Sequence, residues 1–254
     1  MFVGPALVAK ETRYEKEEGS GAPDLDLRGF HKTFHATQVK ANGLAKAFNR
    51  CLSNFGEQGR MVPRIAFLEC SVVQYKLNGF NHGVLVEEMI DPKRYTKWNN
   101  NGSFVKDGDN VNNQQGEGLK DDLFAVVEGG SEDEQESDED NEDWVELKNQ
   151  PSKDLSTVAP DDVPQAFTHF TFRVSNQSLM VCDIQGVLDD STCPSVFKMT
   201  DPAIHYNSRH GRKGVFGRSD RGRKGQHEFF KSHCCNALCR ALGLSPASTL
   251  PNSV

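Results

Sequence analysis

Apolar positions recur along this chain with two periods, and each period marks a kind of element. Residues 5–10 (PALVAK) predict a short buried strand, and the charged, Gly/Pro/Asp-rich residues 15–30 predict a loop. Over residues 36–53, Leu44, Phe48 and Leu52 recur every four positions, which puts them on one face of a helix. Residues 64–76 and 83–90 are rich in β-branched and aromatic side chains and predict strands joined by a turn near Asn78 and Gly79. Residues 98–103 (WNNNGS) predict a turn or loop. Residues 163–175 predict a helix, and residues 178–185 (SLMVCDIQ) a buried strand with a polar end. Residues 188–224 predict an irregular, Gly- and Arg-rich segment. Residues 225–243 predict a helix with Phe229, Phe230, Leu238 and Leu242 on its apolar face, Gly243 as its stop and Pro246 beyond.

One stretch loses this patterning. Residues 106–162 carry few core formers, and residues 131–146 (SEDEQESDEDNEDWVE) are dense in negative charge. Like-charge repulsion predicts a disordered insertion there, between two parts of one domain. The expected organisation is a partial N-terminal lobe at 1–105, the acidic insertion at 106–162, a C-terminal lobe at 163–246 and a tail at 247–254.

A chain of 254 residues can bury a sizeable core. Its net charge of -7 is segregated into that acidic block and a basic stretch at residues 208–224. Arg209, Arg212, Lys213, Arg218, Arg221, Arg223 and Lys224 would suit a phosphate backbone. Phe216 is the one aromatic residue interleaved with them and the overall balance is acidic, so nucleic acid is not the expected partner. The seven cysteines are an odd number and do not space like a secreted disulfide framework. No apolar run reaches the length of a membrane span, and the N-terminus lacks a basic region and a cleavage site. A soluble protein of the reducing cytoplasm is expected.

Two constellations could carry chemistry. In HCCNALC, Cys235 and Cys239 lie four apart, so on a helix both thiols leave one face. His233 joins them only where the helix begins or bends, and His169 in AFTHFTF is the best fourth ligand. Four N and S donors make a closed, structural zinc site. The alternative is that the cysteines are small buried hydrophobes. In CDIQG, Asp183 and Gln185 end an apolar strand, where a carboxylate can hold Mg²⁺ or accept a proton or simply cap a turn. Asp201 in TDPAIH reads as a turn former or as a second carboxylate of the same site. Lys10 at the end of ALVAK could sit over nucleotide phosphates or snorkel to solvent.

Taken in order, PQAFTHFTF, LMVCDIQGV, TDPAIH, FG…G..KG and FF.SHCCNALCRALGL resemble the blocks of the alpha-kinases, and VAK, AKAFNR, VEEMI and WNNNGSF resemble them in the first lobe. The resemblance implies an α+β, two-lobed protein-kinase-like fold with a zinc-stabilised C-terminal lobe. It implies a serine/threonine protein kinase that uses ATP and Mg²⁺ on a protein substrate. By that resemblance Lys10 holds the nucleotide phosphates, and Glu87, Glu88 and Met89 form the hinge against adenine. Asp183 is the catalytic aspartate, with Gln185 and Asp201 as its metal- and phosphate-site companions. His169, His233, Cys235 and Cys239 are the zinc ligands.

Three departures modify this. The link from Asp183 to Asp201 is longer than in the family, so Asp201 is expected to be displaced, with Asp189 or Asp190 as substitutes. The glycine loop has Asp220 where the family has Asn. Strands expected before Lys10 are missing, a truncated N-terminal lobe. That last departure keeps a second reading open, a catalytically impaired pseudokinase acting as a zinc-stabilised interaction module.

Overall fold

A computed structural model describes residues 6–10, 27–77, 80–102, 154–244. Residues 106–153 of the acidic insertion, the turn at residues 78–79 and the C-terminal tail lie outside them, whereas residues 154–162, also read as insertion, are described.

Helix α1 (Leu27–Ser53) begins well before residue 36 and takes in part of the segment read as a loop. Its buried stripe of Ala41, Leu44, Ala45, Phe48 and Leu52 is fully covered, which is what the four-residue spacing predicts. Helix α2 (Gly56–Met61) follows at once. The single strand expected over 64–76 is two strands, β2 (Arg64–Phe67) and β3 (Cys70–Leu77). Ile65 and Phe67 alternate inward, but Leu68 is buried too. That slip of phase ends one strand and starts the next in a different sheet.

Strands β1 (Leu7–Lys10), β4 (Phe80–Glu88) and β3 form an antiparallel sheet in the order β1-β4-β3. Leu77 pairs with Phe80, so two residues connect that hairpin. A second sheet has the order β2-β8-β7-β5, from β5 (Thr96–Lys97), β7 (Gln185–Asp189) and β8 (Val196–Thr200). In it β2 runs parallel to β8, and β8 antiparallel to β7. Strand β6 (Leu179–Cys182) pairs antiparallel with β9 (Ala203–Tyr206). Strands β8 and β9 both lie in the stretch read as irregular.

Helix α3 (Asp162–Val174) is buried along nearly its whole length. It lies between α1 and β6, with Phe167 and Phe170 edge-on to Phe48 at 5.5 and 5.2 Å. Residues ahead of it also belong to this body: Leu155 is buried in the core and its N–H donates to Gln58 Oε1 at 2.9 Å. The helix expected over 225–243 breaks into α4 (Gly222–Ser232) and α5 (Ala237–Ala241). Gly243 ends α5 at φ +65, and the Leu244 N–H closes back on the Cys239 carbonyl at 2.9 Å. No described helix is long and apolar enough to cross a membrane.

Candidate active site and metal centre

The antiparallel β7–β8 hairpin decides where the acidic residues meet. Its register sets Gln185 opposite Thr200, which returns Asp201 to the level of Asp183. The extra length between them forms the far part of the hairpin, so Asp201 is not displaced as the longer link suggested. Asp189 and Asp190 lie at that far end and are occupied there. Asp189 pairs with Lys198 at 3.1 Å and Asp190 with Arg94 at 2.9 Å. They do not substitute for Asp201.

The side chain of Lys10 points from β1 into this corner. It forms an ion pair with Glu87 and donates to Asp201 Oδ2 and Thr200 Oγ1, both at 2.8 Å. Thr200 in turn donates to the Glu87 carboxylate at 2.8 and 2.9 Å, and Gln38 reaches it at 3.5 Å. Burial opposes the charge on Lys10, but its hydrogen bonds and attraction to Asp201 and Glu87 prevail and hold its pKa above the ordinary value. Glu87 thus turns its side chain to the lysine, while Glu88 faces Lys198 at 3.6 Å. Met89 is exposed at the end of β4, and its N–H is taken by the Ala6 carbonyl at 2.8 Å.

Asp183 does not continue the strand. It sits between β6 and β7 with φ +59, a left-handed conformation that breaks the strand, so Asp183 and Gln185 do not share one strand face. Its carboxylate is ion-paired with Lys97. Burial pushes its pKa up, Lys97 pulls it down, and Asp201 adds to the upward push. Gln185 donates its amide N–H to the Asp201 carbonyl at 3.3 Å. Asp201 is itself left-handed at φ +49. Two left-handed carboxyl-bearing residues, Asp183 held by Lys97 and Asp201 held by Lys10, thus come close enough to feel each other's charge.

Lys97, Thr200 and Gln38 were not singled out from sequence. Thr200 sits directly before Asp201, and Lys97 directly before the WNNNGS stretch, but a residue type alone does not reveal which face it takes. Asp220 also departs from expectation. Its carboxylate turns into its own loop and accepts from the N–H groups of Tyr206 and Gly222, each at 2.9 Å, and of Phe216 at 3.4 Å. It organises the glycine loop.

The second constellation lies at the break between α4 and α5. His169 on α3, His233 at the end of α4, Cys235 in the break and Cys239 on α5 bring their donor atoms within 4.8 Å of one another. His233 Nε2 is 3.2 Å from His169 Nδ1 and 3.6 Å from Cys239 Sγ, and Cys235 Sγ is 3.7 Å from His169 Nδ1. The bend that His233 required is present: its ψ of 117 ends the helix. Asn236 fixes the break by accepting from the Cys239 N–H at 2.9 Å and donating to the Asp162 carbonyl at 2.8 Å. Phe229 stacks on His233 at 4.8 Å. Burial and the field of His169 push His233 down to about 4, so it stays neutral, as a ligand must. Hydrogen bonds from Cys239 and His169 favour the Cys235 thiolate, and Cys239 is pushed up in exchange.

A left-handed acid corner against a lysine strand, beside a separate His/Cys tetrad, is carried here on a mixed α/β kinase-like fold. The chain belongs to the alpha-kinase family, whose profile matches residues 4–119 and 124–239. Eukaryotic elongation factor 2 kinase of Mus musculus is 44% identical over 89 residues, which is 35% of this chain and 10% of that protein. The Homo sapiens form is 36% identical over 128 residues, 42% of this chain and 16% of that one. Myosin heavy chain kinase C of Dictyostelium discoideum is 40% identical over 85 residues, 34% of this chain and 9% of that protein. The solved alpha-kinase domain of myosin-II heavy chain kinase A shares the fold. Its AMP-PNP complex gives a TM-score of 0.53 at 24% identity, covering 92% of this chain and 62% of that domain. Its apoenzyme gives 0.52 at 22%, covering 90% and 62%.

Proposed function

We propose that this chain transfers the γ-phosphate of ATP to serine or threonine of a protein substrate. The observation that carries the reading is the corner in which Lys10, Glu87, Asp183 and Asp201 converge. Lys10 stays charged and meets the phosphates, and Glu87 with Thr200 holds it in place. Adenine lies at the end of β4, where Glu87, Glu88 and the exposed Met89 side chain border it. Asp183 receives the substrate hydroxyl proton. Its burial raises its basicity, and the Lys97 ion pair works against that shift in favour of the carboxylate. Gln185 and Asp201 carry the oxygen donors that a hard cation takes, and Mg²⁺ held there would neutralise charge on the transferring phosphate. Positioning and charge stabilisation supply most of the acceleration in such a reaction.

The His169, His233, Cys235 and Cys239 set fits structural zinc. With Zn–N of about 2.0–2.1 Å and Zn–S of about 2.3 Å, tetrahedral donors lie about 3.3–3.8 Å apart. The separations of 3.6 and 3.7 Å fall in that range, the 3.2 Å between the two histidine nitrogens sits just under it, and all four donors lie within 4.8 Å of one another. Zinc held by these four residues would tie α3 to the α4–α5 break.

The test is phosphate incorporation from ATP·Mg²⁺ into a serine- and threonine-containing protein substrate. Asp183→Ala lowers it by at least about 100-fold. Incorporation no greater than in Asp183→Ala overturns the kinase reading and leaves an interaction module. Elemental analysis shows zinc in the purified wild type and its loss in Cys239→Ser; zinc-free folded protein removes the metal assignment.

A further inference from the structure

We propose that Asn99 is a positioning residue for Asp183: it clamps the backbone turn that aims the carboxylate. The inference rests on the role given to Asp183 above. A non-glycine residue at φ +59, even an aspartate, holds that conformation at a cost its surroundings must offset. Something must fix the turn on its far side, and that side is Ile184.

Both backbone polar groups of Ile184 end on one short segment. Its N–H donates to Asn99 Oδ1 at 3.0 Å, and its carbonyl accepts from the Trp98 N–H at 2.8 Å. Asn99 is fully buried. Its Nδ2 donates to Gln165 Oε1 at 3.2 Å and to Thr168 Oγ1 at 3.1 Å, both on α3. Gln165 closes the network by donating to the Trp98 carbonyl at 2.7 Å. With an N–H facing its oxygen and two oxygens facing its nitrogen, the amide is held in one orientation.

Residues two apart on an extended segment face the same way. Lys97 and Asn99 accordingly both face the Asp183–Ile184 turn. Lys97 takes the carboxylate and Asn99 takes the backbone, while Trp98 points into the core, edge-on to Phe197 at 5.1 Å. Asn99 and Thr168 are wholly covered, so neither touches substrate, and the bond from the Ile184 N–H is the route from Asn99 to the Asp183 turn.

The experiment compares wild type with Asn99→Ala, Thr168→Val and Thr168→Ser. It reads kcat, KM for ATP and amide exchange at Ile184, at a temperature where circular dichroism shows each variant folded. Asn99→Ala speeds exchange at Ile184 and lowers kcat between about tenfold and a hundredfold, with KM for ATP within about twofold. Thr168→Val, which keeps the shape but loses the acceptor, lowers kcat in the same sense. Thr168→Ser restores it. If Asn99→Ala does not fold, the two Thr168 variants decide the matter. A folded Asn99→Ala with wild-type kcat overturns the proposal, and so does a kcat loss in Thr168→Val that Thr168→Ser does not repair. If the wild type itself transfers no phosphate, the kinase reading falls. The clamp is then judged on exchange alone, and unchanged protection of Ile184 in Asn99→Ala removes it.

Discussion

Replacing Lys10 by methionine isolates the electrostatics of the acid corner. Methionine keeps the length of the stem and removes the ammonium. The Glu87 side chain is 4% exposed, so it is left with a buried charge, the Thr200 hydroxyl and a long contact to Gln38. Removing one partner of a buried pair costs about 3–5 kcal/mol, whereas a surface pair is worth about 0–1 kcal/mol. The Lys10 side chain is 28% exposed, between those limits. The expected loss is about 2–3 kcal/mol. Most of it belongs to the Lys10–Glu87 pair, because water can serve the 31% exposed Asp201 once the lysine is gone. Adding Glu87→Gln therefore recovers part of the loss, with a coupling energy of at least about 1 kcal/mol. Urea unfolding of the wild type, both single variants and the double variant measures this, with unchanged slope as the check on two-state behaviour. A Lys10→Met loss under about 0.5 kcal/mol, or strict additivity, would refute the argument.

Three further outcomes follow from local geometry. Gly186 has φ +152, and a Cβ there would run into the Lys198 carbonyl, so Gly186→Ala costs more than about 4 kcal/mol; a wild-type melting temperature would disprove the β7–β8 register. Gly43 is exposed in the interior of α1, and a Cβ added to it would meet nothing within 4 Å, so Gly43→Ala stabilises by about 0.5–1 kcal/mol, seen as a higher melting temperature. Burial pushes His205 from 6.5 down to about 4, so on acidification the unfolded chain takes the proton first. Stability present above pH 6.5 is lost as pH falls toward 4, by about 3 kcal/mol, and His205→Gln flattens that slope in urea midpoints; equal slopes would count against it.

Helical spacing was legible where one face alone is buried, as in Leu44, Phe48 and Leu52. It failed where burial is not periodic. Strand β6, buried at all four positions, was legible instead as an apolar run, but the break after it is set by a backbone angle at Asp183 that no residue pattern announces. Strands β8 and β9 were hidden because TDPAIH and its flanks look like loop. The hydrogen bonds that make them strands come from the neighbouring β7 and from β2 and β6, which are farther away in sequence. The tetrad of His169, His233, Cys235 and Cys239 could be assembled from ligand chemistry and family blocks together. The partners of Lys10 could not, because Thr200 and Gln38 have no distinctive type and are defined only by the register and packing that deliver them.

The β7–β8 ladder also bears on how this chain tolerates change. Two strands that zip from the Gln185 and Thr200 end outward let the opposite end grow or shrink in matched steps, while the spacing of the two aspartates at the base is kept by pairing alone. Cys193, exposed in that distal bend, is therefore an attachment point for a fluorophore or a grafted peptide that should report on neighbours without perturbing turnover.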